Sequence, residues 1–239
     1  MANEPAPANQ AYAELAELAG RLIHEIKNHL GTLSLNLQLL SEDFKEPENQ
    51  KERRASQRIE KLQRECQRLT DLSNDFLRFA RVGTLELIPC SLKEVVEETV
   101  DFFAPSALIG NVTVRPFIPA DLPMVQLDRD LFKQALLNLF LNAQQAMPGG
   151  GELTILAERR RDQVCLELID TGKGMPPGVM AEIFRPFFST RQGGSGLGLP
   201  TTKRIIEAHH GSISVESAEG KGTKFTICLP AAVPAPTTP

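Results

Sequence analysis

Residues 130–174 read DLFKQALLNLFLNAQQAMPGGGELTILAERRRDQVCLELIDTGKG and contain the patterns of a helix, two strands and a glycine-rich turn in succession. Asp130 to Met147 has apolar residues at helical spacing, which predicts a buried helix, and Pro148 with three glycines ends it. The segments 152–158 and 164–170 predict two paired central strands. A buried helix followed by paired strands indicates a domain in which helices cover a sheet.

The sequence on both sides of this stretch supplies further elements of the same domain. Ser91 and Glu94 form a capping box, which predicts a helix that continues to about Ile109. The other predicted elements are strands at 111–118 and 124–127, a helix at 197–210, and strands at 212–216 and 223–229. We expect residues 85–230 to form an α+β sandwich with helices on one face of the sheet.

Residues 11–84 contain only helical periodicity. Apolar residues recur every three or four positions before and after a polar break around Pro47, which predicts two long helices joined by a short turn. One hairpin cannot bury so wide an apolar stripe, and we therefore expect a second copy and a dimeric four-helix bundle. A plain coiled coil would have the same periodicity. The Pro/Ala/Thr-rich segments 1–10 and 231–239 are predicted to be flexible tails.

The composition excludes several classes of protein. The 239 residues are 41% hydrophobic, enough for one or two domains with their own cores. No apolar run approaches the roughly 20 residues that cross a bilayer, and no signal segment begins the chain, so we expect a soluble cytoplasmic protein. The net charge of −4 argues against binding to nucleic acid. Four widely separated cysteines without a CxxC pair indicate neither a zinc site nor a disulfide framework.

The first predicted helix carries the polar motif His24-Glu25-Ile26-Lys27-Asn28. His24 and Asn28 are one turn apart and share a face, and Glu25 adjoins the imidazole. Such a histidine can act as a nucleophile while the neighbouring carboxylate takes the ring proton. An ordinary surface histidine is the alternative interpretation.

Two further motifs combine polar groups with apolar surroundings. Asn138 and Asn142 lie four residues apart on an apolar helix, and because buried amides need partners, they suggest a ligand or Mg²⁺ with phosphate oxygens. A helix cap or a core hydrogen bond is the alternative. Asp170, at a strand end, can accept from an exocyclic amine, and Gly172 and Gly174 allow a ligand to approach the backbone closely.

A glycine-rich segment, GGSGLGL at residues 193–199, opens the last predicted helix and offers backbone N–H groups to an anion. It lacks the GxxxxGK[ST] pattern and does not follow a strand, so neither a P-loop nor a dinucleotide-binding turn is indicated. Three phenylalanines precede this segment, at Phe184, Phe187 and Phe188. They predict an apolar hinge that packs against the glycine-rich segment, which would act as a lid, and that docks on the helical hairpin. At the helix end, His209 and His210 are expected to be capping residues whose positive charge complements the helix dipole.

In order and spacing, these motifs resemble the sequence boxes of sensor histidine kinases over about residues 11–230. HEIKN resembles the phosphoacceptor box, NLFLNA the N box, DTGKGM the first glycine box, FRPFFST the F box and GSGLGL the second glycine box. The turn 220–223 resembles a further box, and the end of the N box is most similar to the nitrogen-regulation type. The resemblance implies a dimeric helical hairpin followed by an ATP-binding α/β sandwich of the gyrase and histidine-kinase type.

The resemblance also implies a role for each matching residue. His24 would be phosphorylated, Glu25 would be the assisting base and Asn28 would position water. Asn142 would be a ligand of Mg²⁺ and Asn138 would lie close to the phosphates of ATP. The other implied ATP-binding residues are Asp170 at the adenine amine, Gly172, Gly174 and Thr223 beside it, and Arg191, Gly194, Ser195, Gly196, Leu197 and Gly198 around the phosphates.

Three positions depart from the family pattern. His29 replaces the usual proline, so the helix is expected to be straighter near His24. Gln144 and Gln145 stand where many relatives carry a cation, and Arg185 or Arg191 is expected to meet the phosphate charge instead. The related gyrase-type ATPases have a glutamate where Asn138 stands. Since an amide cannot act as a base, we expect slow hydrolysis of bound ATP.

The implied function is an ATP-dependent protein-histidine kinase that passes its phosphoryl group to an aspartate of a response regulator, with a plausible phosphatase activity. Its signal would come from a sensor domain or protein outside this chain, unless the chain is an excised core. A phosphotransfer hub with a decayed nucleotide site is disfavoured by the intact Asn142 and Asp170. A serine kinase of the anti-sigma type is disfavoured by the HEIKN helix.

Overall fold

The computed structural model of the 239-residue chain describes residues 7–80, 85–191 and 194–232. These residues fall into two compact units. One contains the N-terminal helices and the described part of 191–195, and the other contains 85–190 and 196–232. Within the first helix, side chains are described at residues 20, 23 and 25–43, so the predicted His24 side chain lies outside the described residues.

The first unit is built on a hairpin of two long helices, as the periodicity predicts. Helix α1 spans Pro7–Asp43 and helix α2 spans Gln50–Ala80. Pro7, within the predicted tail 1–10, occupies the first helical position, where a missing N–H costs nothing, and the flexibility of that tail stays a prediction. Asn49 caps α2: its Oδ1 accepts from the backbone N–H of Glu52 at 3.1 Å, while the Glu52 carboxylate accepts from the Glu48 N–H at 2.7 Å.

Two stripes of apolar residues at heptad spacing lie on the hairpin, and they differ in how far they are buried. Ile23, Leu30 and Ile59 are buried between the helices, each less than 9% exposed. A second stripe, with members 40–54% exposed, stays on the surface. We call it the outer seam; it comprises Ile26, Leu33 and Leu40 on α1 and Leu62 and Leu69 on α2.

The second unit has a five-stranded sheet covered on one face by helices, and the predicted α+β architecture is confirmed. Its elements are β1 (Ile88–Cys90), α3 (Leu92–Ile109), β2 (Val112–Phe117), β3 (Val125–Leu127), α4 (Arg129–Ala146), β4 (Gly151–Arg160), β5 (Gln163–Asp170), α5 (Pro177–Glu182), α6 (Gly198–Ala208), β6 (Ser212–Ser217) and β7 (Thr223–Pro230). The strand order is β2-β4-β5-β7-β6, with β2 and β4 parallel and the other pairs antiparallel.

Local patterns predicted most of these elements, and two were missed. The first missed element is β1, which pairs with β3 in a separate two-stranded sheet. Strand β1 is only three residues long, too short for a pattern to appear. The short helix α5 begins at a proline between the predicted strand 164–170 and the predicted helix 197–210, where no element was predicted. The Ser91 cap is confirmed, since its hydroxyl oxygen accepts from the Glu94 N–H at 3.4 Å.

The core of the second unit lies between the sheet and helices α3, α4 and α6. Val164, Leu166 and Leu168 on β5 are at most 2% exposed, and the intervening residues face the other side of the sheet. Phe103 of α3 and Phe140 of α4 are fully buried, with ring centroids 5.5 Å apart. This packing fixes α4 and the end of β5, the two elements that carry the candidate site.

One sequence-based expectation about this unit, that its cysteines form no disulfide, is wrong. Cys165 and Cys228 form a disulfide, because they lie directly opposite each other on β5 and β7, with Cα atoms 4.1 Å apart. Within the predicted tail 231–239, the N–H groups of Ala231 and Ala232 donate to the carbonyls of Asp162 and Met124. Residues 233–239 of that tail lie outside the described residues. In the described ranges, no helix is long and apolar enough to cross a membrane.

Candidate functional site

Asp170 ends the central strand β5 and is the best-defined polar group of the candidate site. Its side chain is 5% exposed, and its Oδ1 accepts from the backbone N–H groups of Gly172 at 2.9 Å and Thr223 at 3.1 Å. Burial raises the pKa of the Asp170 carboxyl, while these two hydrogen bonds act in the opposite direction. Among the described residues no donor reaches Oδ2, and that oxygen is not enclosed. Asp170 can therefore accept a hydrogen bond from a ligand amine.

The turn after Asp170 is held against helix α4. The Lys173 N–H donates to the Ala146 carbonyl at 3.0 Å. A Cβ on Gly172 would lie 2.8 Å from both the Cβ and the carbonyl oxygen of Ala146, so only glycine fits at this contact. The predicted adenine end and the predicted phosphate-binding helix are thus joined by direct contact.

The same turn also packs on the β6–β7 connection. The Gly220 N–H donates to the Lys173 carbonyl at 2.7 Å, and the Met175 N–H donates to the Ser217 hydroxyl at 2.9 Å. Ser217 Oγ in turn lies 3.1 Å from Thr223 Oγ1. Ser217 was missed by the sequence analysis, because a serine at a strand end carries no distinctive pattern.

Two glycines of these turns adopt left-handed backbone geometry. Gly174 has φ +63°, and a Cβ there would lie 1.9 Å from the Ala218 carbonyl oxygen. Gly222 has φ +83°, and a Cβ there would lie 1.9 Å from the Asp170 carbonyl oxygen. Any L side chain would be both strained and blocked at these positions. Gly222, not among the residues predicted to bind ATP, fixes the backbone of the key carboxylate.

The two asparagines of α4 are half-buried on the face that packs near α6. Asn138 Nδ2 donates to the Gly198 carbonyl at 3.3 Å and lies 3.5 Å from Thr202 Oγ1. The alternative of a core hydrogen bond is therefore correct for the Asn138 amide nitrogen. The predicted roles of Asn138 at the phosphates and of Asn142 at a metal stay predictions.

Gln144 has a structural role that the sequence analysis did not foresee. Its Nε2 donates to the Ser106 carbonyl at 2.7 Å, and its Oε1 accepts from the Ser106 hydroxyl at 3.0 Å. Both ends of the amide are thus used between α3 and α4. Gln144 is therefore used for packing between these two helices.

The glycine-rich segment leads into α6 through a buried leucine. Leu197 is fully buried at the start of the helix, so only its backbone can face a ligand. The Phe187 N–H donates to the Gly196 carbonyl at 3.0 Å, which joins the phenylalanine cluster to the glycine segment. The Phe187 ring is 61% exposed, and the Lys203 ammonium lies 5.5 Å from the centroid of the Phe184 ring. The predicted docking of this cluster on the hairpin stays a prediction.

Five of the remaining predicted residues lie in or group with the helical unit. Glu25 and Asn28 are exposed on α1, one position and four positions after His24. Arg191, Gly194 and Ser195 group with this unit, and their predicted contacts with ATP stay predictions. Arg185, the alternative phosphate-binding cation, donates to the Glu182 carboxylate at 3.0 Å. In the described parts of the chain, no three His, Cys, Asp or Glu side chains cluster to hold a metal ion.

His209 differs most from its expected role. It is 3% exposed, its Nδ1 lies 2.7 Å from the Ile205 carbonyl, and its Nε2 accepts from the Asp128 N–H at 2.9 Å. Burial lowers the pKa of the His209 imidazole, so a positive charge at this helix end is the wrong prediction for it. Backbone capping is confirmed, since the Gly211 N–H donates to the Ile206 carbonyl at 2.9 Å and His210 adopts φ +59°.

Two families match separate parts of the chain. The His Kinase A (phospho-acceptor) domain family matches residues 14–85, and the family of histidine kinase-, DNA gyrase B-, and HSP90-like ATPases matches residues 127–233. Sensor histidine kinase ZraS of Salmonella typhi is 33% identical over 217 residues, which cover 90% of this chain and 46% of that protein. The chain spans about half the length of the curated relatives it matches.

Solved structures give the same assignment. Full-length ShkA in complex with AMPPNP has a TM-score of 0.72 and 27% identity, covering 92% of this chain and 46% of that one. The catalytic domain of histidine kinase ThkA has a TM-score of 0.56 and 30% identity, covering 62% of this chain and 99% of that one. The nitrogen-regulation subtype stays a prediction. The chain belongs to the sensor histidine kinases and contains their catalytic core, a phosphoacceptor helical region followed by an ATP-binding domain.

Proposed function

We propose that this chain uses ATP to phosphorylate its own His24 and then transfers the phosphoryl group to an aspartate of a response regulator. The observation that carries the proposal is the preorganised Asp170, which sits on the same chain as the His24-Glu25-Asn28 motif. The regulator partner rests on the phosphoacceptor family. ThkA is also solved in complex with response regulator protein TrrA. This second ThkA structure has the same fold, with 23% identity and a TM-score of 0.66.

The adenine end of ATP is assigned to Asp170. Two backbone N–H groups hold Oδ1, and this geometry leaves Oδ2 to accept from the exocyclic amine. Gly172, Gly174 and Thr223 build the surrounding turns, so the adenine would contact backbone more than side chains. This arrangement favours adenine over guanine, which carries a carbonyl oxygen in place of the amine.

The phosphate end is assigned to α4 and the glycine segment. Amide oxygens suit a hard cation that keeps phosphate and water ligands, and Asn142 is the residue that would hold Mg²⁺ here. When bound, this ion neutralises charge on the phosphates. Asn138 cannot take a proton from water, so it would leave ATP intact for transfer. Arg191, Gly194, Ser195, Gly196 and Gly198 would enclose the phosphates, with Leu197 holding the segment in the core.

The transfer step needs one nucleophile and one base. A neutral ring nitrogen of His24 attacks the γ-phosphorus, the bond to the bridging oxygen breaks, and ADP leaves. The ring proton passes to the Glu25 carboxylate. In the second step a regulator aspartate attacks the same phosphorus, and His24 leaves as a neutral imidazole after regaining a proton. Asn28, one helical turn from His24, would position water for the opposing phosphatase reaction.

The outer seam supports a homodimer. Its five aliphatic side chains are 40–54% exposed at heptad spacing, although an isolated helix would place polar residues there. A second copy of the hairpin would bury both seams in a four-helix bundle.

Labelling with γ-³²P-ATP and Mg²⁺ tests the proposed function. We expect label that is lost in acid and retained in alkali, that disappears in His24→Ala, and that is strongly reduced in Asn142→Ala. His29→Ala is the matched control and should keep the label. Absence of label in the wild type at every Mg²⁺ concentration contradicts the kinase proposal and favours the phosphotransfer hub. Acid-stable label would instead favour a serine kinase.

A further inference from the structure

The ring of His209 lies buried where the end of α6 meets the start of α4. It is 3% exposed and packs edge-on against Phe132 of α4, with centroids 5.9 Å apart. The proposed chemistry assigns the His209 ring no role. A buried imidazole requires a reason, because both of its nitrogens need partners.

The two hydrogen bonds of His209 determine its protonation state. The Ile205 carbonyl can only accept, so Nδ1 must carry the proton that bridges their 2.7 Å separation. The backbone N–H of Asp128 can only donate, so Nε2 must be unprotonated at 2.9 Å. The ring is therefore neutral in a single tautomer, in agreement with its lowered pKa.

The partner at Nε2 is the N-cap residue of the helix that carries the asparagines. Asp128 Oδ1 accepts from the Leu131 N–H at 3.1 Å and starts α4. His209, the C-cap residue of α6, is thus hydrogen-bonded to the N-cap residue of α4. Because Asn138 of α4 also donates to Gly198, the first residue of α6, the helices are antiparallel and joined at two points.

The distances between these two points agree on both helices. From Asp128 to Asn138 is ten residues, or about 15 Å of helix at 1.5 Å per residue. From Gly198 to His209 is eleven residues, or about 16.5 Å. A shift of α6 along α4 by one helical turn, about 5.4 Å, would break the contact between His209 and Asp128.

We propose that His209 is a positioning residue for nucleotide binding, whose neutral ring sets the axial register of α6 on α4. In this register Gly198, the first residue of α6, lies next to Asn138. The proposal rests on the proposed function, because it assigns the phosphates to these two elements. His209 touches no nucleotide in this account, and it acts only through Asp128 and α6.

Two substitutions separate the bonds of the ring. The amide of His209→Gln reaches the position of Nε2 and can accept from Asp128, whereas that of His209→Asn reaches only the position of Nδ1 and leaves the Asp128 N–H without a partner. We expect His209→Asn to weaken AMPPNP binding about tenfold, the equivalent of one lost buried hydrogen bond. We expect His209→Gln to stay within about threefold of the wild type. His210→Asn, at the exposed neighbouring position, is the matched control and should bind like the wild type.

Calorimetric titration of the full chain with AMPPNP and Mg²⁺, about 20 °C below each unfolding midpoint, measures the affinities. Hydrogen exchange at the Asp128 amide reports the contact itself, which should be protected in the wild type and in His209→Gln. Equal weakening in both variants, or affinities of both within threefold of the wild type, overturns the register proposal. If His209→Asn does not fold, loss of affinity in His209→Gln overturns it. Failure of the wild type to bind AMPPNP contradicts the proposed function instead.

Discussion

Replacing Asp170 with asparagine separates the shape of the adenine site from its charge. Asn is nearly isosteric with Asp, and its amide orientation is determined by the surroundings. The backbone N–H groups of Gly172 and Thr223, at 2.9 and 3.1 Å, both require an acceptor where Oδ1 now lies. The amide oxygen must take that place, so the NH₂ group occupies the position of Oδ2.

The magnitude follows from this orientation. A hydrogen bond from the adenine amine to a carboxylate contributes about 1.5–3 kcal/mol, and Asp170→Asn replaces it with two donors that face each other. We expect ATP affinity to fall by about a hundredfold or more. Guanine presents a carbonyl oxygen at this position, so the same variant should bind GTP better than the wild type does.

Stability should change in the opposite direction from binding. Burial raises the pKa of the Asp170 carboxyl, which means that the ionised form is destabilised in the folded state. The penalty develops as the pH rises from the unfolded pKa through the raised folded pKa, and it is fully present above that value. Asp170→Asn removes this charge and should therefore unfold at an equal or higher temperature at neutral pH.

The assay is calorimetric titration with AMPPNP and a GTP analogue, together with thermal unfolding followed by circular dichroism. Asp162→Asn, at an exposed turn position, is the matched control. Wild-type affinity for ATP should also fall as the pH drops through the raised pKa of Asp170, whereas the variant should show no such step. Affinity of Asp170→Asn for AMPPNP within threefold of the wild type, with an unchanged preference for adenine, would refute the reasoning.

Three further predictions concern stability and assembly. Gly222→Ala should destabilise the second unit by about 3 kcal/mol or more in a urea titration, because a Cβ at φ +83° would meet the Asp170 carbonyl at 1.9 Å. Gly220→Ala, at φ +73° in open space, should lower the free energy of unfolding by less in the same titration. His210→Gly should raise stability by up to about 1 kcal/mol, since His210 adopts φ +59°; an unchanged or lower unfolding midpoint contradicts this. Leu33→Glu should convert the dimer to monomer in light scattering, whereas Arg53→Glu, off the outer seam, should stay dimeric; a dimeric Leu33→Glu excludes the outer seam as the interface.

Much of the architecture could be predicted from the sequence, because helices and strands depend on how apolar residues are spaced over a few positions. The seven-residue spacing of Ile23 and Leu30 predicted the hairpin, and the Ser91 cap predicted the start of α3. The motif order also predicted the family. Candidate residues such as Asp170 and Asn138 were found because a polar group among apolar neighbours is visible in one segment of chain.

Contacts between distant segments were decided by the tertiary structure alone. Gln144 meets Ser106 across 38 residues, Cys165 meets Cys228 across 63, and His209 meets Asp128 across 81. In each case the side chain has several ordinary uses, and only the register of two strands or helices selects one. The sequence by itself determined the longer helices and most strands, since those follow from local spacing, and the order of its motifs indicated the kinase family. The neutral histidine that joins α4 to α6 followed only from the fold, because a tautomer depends on which partners packing brings within hydrogen-bonding distance.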